Sequence, residues 1–105
     1  MEKPNLLYIK ELSGGDSIFE NKMLEIVKQE LPEEIKNYKN FLKKENFVNA
    51  ADLVHKIKHK ISVLGLKDGY QVAIDYEEEL RQKKMNLQSK FEEILSAMII
   101  FIKNA

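Results

Sequence analysis

Two histidines, His55 and His59, are the only imidazoles in the 105-residue chain, and the chain has no cysteine. They stand i and i+4 within Val54-His55-Lys56-Ile57-Lys58-His59-Lys60-Ile61-Ser62-Val63-Leu64-Gly65-Leu66, among three lysines. Without a thiol, covalent chemistry in this stretch falls to an imidazole. A neutral ring at pH 7 offers one nitrogen lone pair, and nearby ammonium groups favour added negative charge. Nucleophilic attack on a phosphoryl group presented by another protein fits these residue types. A partner that brings its own metal and positioning groups would explain why no triad accompanies the histidines.

Other readings of the same residues have different requirements. Histidines at i and i+4 can share a metal ion, making a metal-binding helical module through His55 and His59 a weaker alternative. No Glu stands between them, and the lysines oppose a divalent cation. Nucleic-acid binding lacks both interleaved aromatics and a wider basic surface. Two solvated histidines on a lysine-rich helix face, without function, are the bland alternative.

The elements that must position this stretch follow from hydrophobic spacing. Phe47, Ala50, Ala51, Val54, Ile57, Ile61 and Leu64 recur at helical intervals, so a helix spans about 47–64 and stops at Gly65. On a wheel of about 100° per residue, His55 lies on the flank and His59 almost opposite the apolar stripe. Ser62 shares the His55 side, Lys58 lies at the stripe's edge, and Lys56 and Lys60 point outward.

Upstream, Asn5 caps a short helix carrying Leu6, Ile9 and Leu12, which ends at Ser13-Gly14-Gly15. At about two turns it needs support from other elements and is expected to lie across them as a lid. Ser17-x-x-Glu20 has the spacing of a capping box. It opens a long helix striped by Leu24, Val27, Leu31, Ile35, Tyr38 and Leu42. The stripe keeps phase through Pro32, which implies one long helix kinked there or two abutting segments sharing a stripe. After the histidine helix, another carries Leu66 or Tyr70, Ala73, Ile74 and Leu80 inward. Its outer face pairs Glu77 with Arg81 and Glu79 with Lys83. Asn86 is the expected cap of the last helix, striped by Leu87, Phe91, Ile94, Leu95, Met98 and Phe101 or Ile102.

With no strand alternation or repeat, these segments predict an all-α fold. It is a single domain over 1–105, an antiparallel up-down four-helix bundle with a short N-terminal lid helix. Seventeen basic residues balance seventeen acidic ones, so no global field draws the chain to nucleic acid or an anionic membrane. The longest apolar run is too short to span a bilayer. Met1-Glu2-Lys3-Pro4-Asn5 lacks signal-peptide order, and the absence of cysteine fits a reducing compartment. A cytoplasmic location is expected.

His55-x-Ile57-Lys58 followed by Leu64-Gly65 resembles the histidine phosphotransfer (HPt) signature, His-x-Leu-Lys-Gly-small-small-x-x-Leu-Gly, without gaps. The short helix ending Ser-Gly-Gly-Asp, the long helix before the site and the acidic Tyr76-Glu77-Glu78-Glu79-Leu80 after it are also similar. The resemblance implies a phosphocarrier without kinase activity. His55 would accept a phosphoryl group from a receiver-domain aspartate and pass it to another receiver, while Lys58 steadies the phosphoryl oxygens. It further implies response-regulator receiver domains and a hybrid histidine kinase as partners. No cofactor is expected on this chain, with Mg²⁺ on the receiver, and the protein is expected to be a monomer. Ala51, Lys56, Ser62, Leu64 and Gly65 are the expected docking residues. The signature departs at its glycine, which is His59, and at its small positions, Lys60 and Ile61. His59 is therefore an auxiliary or steric modifier, and an adaptor that docks on receivers without being phosphorylated is the alternative.

Overall fold

A computed structural model describes residues 2–105; Met1, the first residue of the expected domain, lies outside them. Helices α1 (Leu7–Ser13), α2 (Ser17–Lys43), α3 (Phe47–Val63), α4 (Lys67–Arg81) and α5 (Gln88–Lys103) account for most of the chain, and no strand occurs among the described residues. The links at 44–46 and 64–66 allow only antiparallel neighbours. α3 packs between α2 and α4, and α5 closes the ring against both. The expected all-α bundle is observed. At about 1.5 Å per residue, the 27 residues of α2 account for the long dimension of a 43 × 23 × 20 Å molecule.

Pro32 lies inside α2, which continues through it. Leu31 and Tyr38, on either side, are both fully buried. Asp16, not the expected Ser17, caps this helix, its carboxylate accepting from the amides of Ile18 and Phe19 at 3.0 and 3.2 Å. Glu20 turns instead to accept from the Ser13 hydroxyl at 2.9 Å, so it links α1 to α2 rather than completing a capping box. The Asn46 side chain caps α3 by accepting from the Asn49 amide.

α1 packs on α2 with Ile9 buried, while Leu12 remains exposed. The segment before α1 is tied to the α3–α4 corner. The Asn5 amide donates to the Leu64 carbonyl at 2.8 Å, and the Glu2 carboxylate accepts from the Gly69 amide at 2.6 Å. Gly65 takes φ +76°, and a Cβ there would meet the Asn5 side chain at 2.6–2.9 Å. Glycine is thus required both by backbone angle and by space.

α4 buries Leu66 at its start, then Ala73, Tyr76 and Leu80, whereas the expected Ile74 is partly exposed. Tyr76 pairs with Tyr38 through hydroxyls 2.7 Å apart. Tyr38 also donates to the Glu92 carboxylate at 3.1 Å, which commits its one proton and makes Tyr76 the donor to Tyr38. Phe91 stacks edgewise on Tyr38, centroids 5.5 Å apart. Burial, reinforced by these neighbours, pushes the Tyr38 hydroxyl far up; burial pushes Tyr76 up to about 12. The core therefore holds a protonated two-tyrosine link between α2 and α4.

The α4–α5 connection departs from expectation. The Glu79 carboxylate accepts from the Leu87 amide at 2.9 Å rather than pairing with Lys83. Leu87, not Asn86, stands at the α5 cap position.

Candidate functional site

The middle of α3 faces the second half of α4, and the antiparallel register places His55 opposite Glu77. The imidazole is about half exposed: its side chain keeps 51% of its accessible surface, against 16% for Glu77. Nδ1 of His55 lies 3.1 Å from Oε1 of Glu77. An ionised carboxylate only accepts, so the nitrogen facing it carries the proton. That tautomer leaves the lone pair on Nε2, which has no protein partner among the described residues.

Lys58 converges on the same carboxylate, with Nζ 3.6 Å from Oε1 and 3.3 Å from Nδ1 of His55. The two approaches to Nδ1 exclude each other as hydrogen bonds, because an ammonium only donates and would need a bare Nδ1. The Glu77 contact is shorter and matches a carboxylate to an N–H, so Lys58 acts here as an ion pair with Glu77. Its side chain is only 13% exposed, and the ammonium stands 5.9 Å from the Tyr70 ring centre, a cation–π distance.

Arg81 completes the network. It donates to Oε2 of Glu77 at 2.9 Å and to Asp52 at 3.1 Å, tying α4 back to α3 one turn before His55. Burial alone pushes the Glu77 carboxyl up. The hydrogen bonds from Arg81 and His55, with the charge of Lys58, outweigh it and hold the group below its usual range. Glu77 is therefore the anionic hub of the site.

His59 is exposed one turn beyond His55, ring centroids 5.2 Å apart and planes at 88°. Its position matches the wheel. Lys60 does not: rather than pointing outward, it is 12% exposed and bonds Glu30 and Glu34 of α2 at 2.9 and 3.0 Å. This cation serves the α2–α3 seam and leaves the histidine face.

Of the expected docking residues, Lys56 and Ser62 are exposed and Gly65 is half-buried beneath Asn5. Ala51 and Leu64 are fully buried. Both lie on the core stripe of α3, so neither side chain is presented to a partner, which corrects that part of the expectation. Among the described residues no group of three His, Cys, Asp or Glu side chains is arranged to hold a metal ion, and no helix is long and apolar enough to cross a membrane.

Glu77 and Arg81 were legible in the sequence only as an i,i+4 pair. Their approach to His55 and Asp52 depends on the register between α3 and α4. The arrangement supplies an oriented imidazole with one free nitrogen, a carboxylate to take up positive charge on the ring, and a sheltered ammonium beside it. These are the requirements for accepting a transferred phosphoryl group.

The family model described as Hpt domain matches residues 22–105, which include every residue of this network and exclude α1. No match was found among curated proteins or among solved structures.

Proposed function

The chain belongs to the Hpt domain family, the phosphocarriers of two-component signalling, and from that membership we propose that His55 is the phosphoacceptor of a relay between receiver domains. The observation that carries the proposal is the 3.1 Å contact of Nδ1 with Glu77 on a half-exposed ring. It keeps the Nε2 lone pair available.

In the proposed step, Nε2 attacks the phosphorus of a receiver's aspartyl phosphate. The N–P bond forms as the P–O bond to the aspartate breaks, and its electron pair returns the aspartate to a carboxylate. Positive charge develops on the ring, and Glu77 stabilises it through the Nδ1 proton. Lys58 then turns from Glu77 toward the phosphoryl oxygens. Arg81, at 2.9 Å, keeps the carboxylate compensated when it leaves. Transfer to the second receiver is the reverse step on a different aspartate. The receiver supplies Mg²⁺, this chain needs no cofactor, and a hybrid histidine kinase feeds the relay upstream. The carrier works as a cytoplasmic monomer without kinase activity of its own. A receiver approaches over the exposed His55 side of α3, with Ser62 farther along the same side and Lys56 on the outward face of the helix.

Incubation with a phosphorylated receiver tests this. The expected result is an acid-labile, base-stable label on the carrier that His55→Ala abolishes and His59→Ala retains. Receiver binding with no label on the unsubstituted protein would favour the adaptor reading, and a label lost only in His59→Ala would move the acceptor.

A further inference from the structure

His59 is uncommitted, unlike Arg81, Lys58 and Lys60, and it lies nearer His55 around the helix than Lys56 and along it than Ser62. Arg81 is divided between Glu77 and Asp52 at 2.9 and 3.1 Å, and Lys58 lies 3.6 Å from Glu77. Lys60 is turned away to Glu30 and Glu34. Lys56 is exposed but lies about 100° around α3 from His55, as its immediate neighbour. Ser62 is nearly two turns from His55 along the helix. His59, one turn away, has its ring against that of His55 at 5.2 Å and makes no hydrogen bond or ion pair among the described residues.

A phosphoryl group on Nε2 brings up to two negative charges and three strong acceptor oxygens to this spot. Glu77 and Asp52 are already anionic neighbours. Lys58 can answer the new charge only by leaving Glu77. His59 can answer it without breaking a hydrogen bond or ion pair, because its ring nitrogens make none among the described residues and its side chain turns about two exposed torsions. With ring centroids 5.2 Å apart, the His59 side chain is within reach of a group carried on the His55 ring.

We propose that His59 is a second phosphoryl-holding residue beside Lys58, donating a ring N–H to an oxygen of the phosphoryl group carried by His55. The inference rests on His55 being the residue phosphorylated. It gives the imidazole at the signature's glycine position a binding role: at this position the chain exchanges open access for a donor one turn from the acceptor. The groups that share the field are Asp52, Lys56 and Lys58 from α3, and Glu77 and Arg81 from α4. All of them remain in place when His59 alone is changed.

The test uses phosphoramidate as phosphodonor, so that no receiver is required, with the modified residue mapped by mass spectrometry. Titration of the ³¹P resonance then reads the last ionisation of the phosphoryl group in the unsubstituted protein, His59→Gln and His59→Ala. A donor on the phosphoryl oxygens favours the dianion. The midpoint in the unsubstituted protein is therefore expected about half to one pH unit below that of His59→Ala, with His59→Gln between them. Equal midpoints in the unsubstituted protein and His59→Ala overturn the inference, as does phosphate mapped to His59 itself. The two proposals separate cleanly. Equal midpoints alongside intact transfer from a receiver remove only the role of His59. Distinct midpoints with no transfer from any receiver remove only the relay.

Discussion

Glu77 is the residue through which the site is most directly perturbed, because one carboxylate holds the ring of the proposed acceptor His55, Lys58 and Arg81. Glu77→Gln keeps the shape and an acceptor oxygen but removes the charge. A hydrogen bond to a charged group contributes about 1.5–3 kcal/mol when sheltered. The His55 side chain is 51% exposed, and solvent screening reduces the charge effect to about 1 kcal/mol. If that interaction strengthens as the ring becomes cationic, single-turnover transfer from a phosphorylated receiver slows roughly fivefold in Glu77→Gln. Glu77→Ala also removes the acceptor, frees the ring to the other tautomer, and should slow transfer by roughly tenfold or more. Rapid-quench kinetics measure both rates, and ¹⁵N shifts of the His55 ring report the tautomer independently. Unchanged rates together with an unchanged tautomer in Glu77→Ala would refute the role assigned to Glu77. Stability supplies a separate readout. The folded-state carboxyl lies below its ordinary value of 4.5, so its contribution is complete above that value and is lost as pH falls through the folded value. The stability gap between the unsubstituted protein and Glu77→Gln should therefore narrow below about pH 4.5.

Three further outcomes follow from the packing. Tyr38→Phe removes both the acceptor of Tyr76 and the donor to Glu92, and should cost about 1–3 kcal/mol in urea unfolding; Tyr76→Phe leaves the Tyr38–Glu92 bond intact and should cost less. Lys60→Ala strands Glu34, whose Oε1 already lacks a hydrogen-bond partner, and should lower stability by about 1–3 kcal/mol. Burial disfavours the charged Lys60, but Glu30 and Glu34 outweigh it and raise its affinity for the proton. This contribution is thus complete below its ordinary value of 10.5, and differential unfolding at higher pH should show it disappearing as Lys60 deprotonates. Gly65→Ala forces a left-handed backbone and displaces Asn5, and should lower the thermal midpoint by an amount corresponding to about 1–2 kcal/mol.

The helix stripes were legible because each repeats long enough to define a buried face. The stripe of α3 from Phe47 to Leu64 and that of α5 from Phe91 to Ile102 need no tertiary information. Tyr76 escaped that reading because it begins an acidic run, although Ala73, Tyr76 and Leu80 have helical spacing. The orientations of His55 and His59 followed from phase alone. Lys60 did not, since a long side chain on a helix flank can turn outward or fold onto a neighbouring helix, and Glu30 and Glu34 on α2 decide which. Glu77 is the clearest case. Its partner in sequence, Arg81, is visible one turn away, but its partner His55 is 22 residues distant and becomes a neighbour only through the α3–α4 register. Local capping was similarly underdetermined at Asp16-Ser17, where both side chains suit the position and the one a residue earlier takes it.

The most direct test of the account is the position of the phosphoryl bond after reaction with a phosphorylated receiver. Peptide mapping combined with ³¹P–¹⁵N correlation in ring-labelled protein locates both the residue and the nitrogen. The account predicts an N–P bond at Nε2 of His55, with Nδ1 still protonated toward Glu77. A bond at Nδ1 of His55, or at either nitrogen of His59, would contradict it.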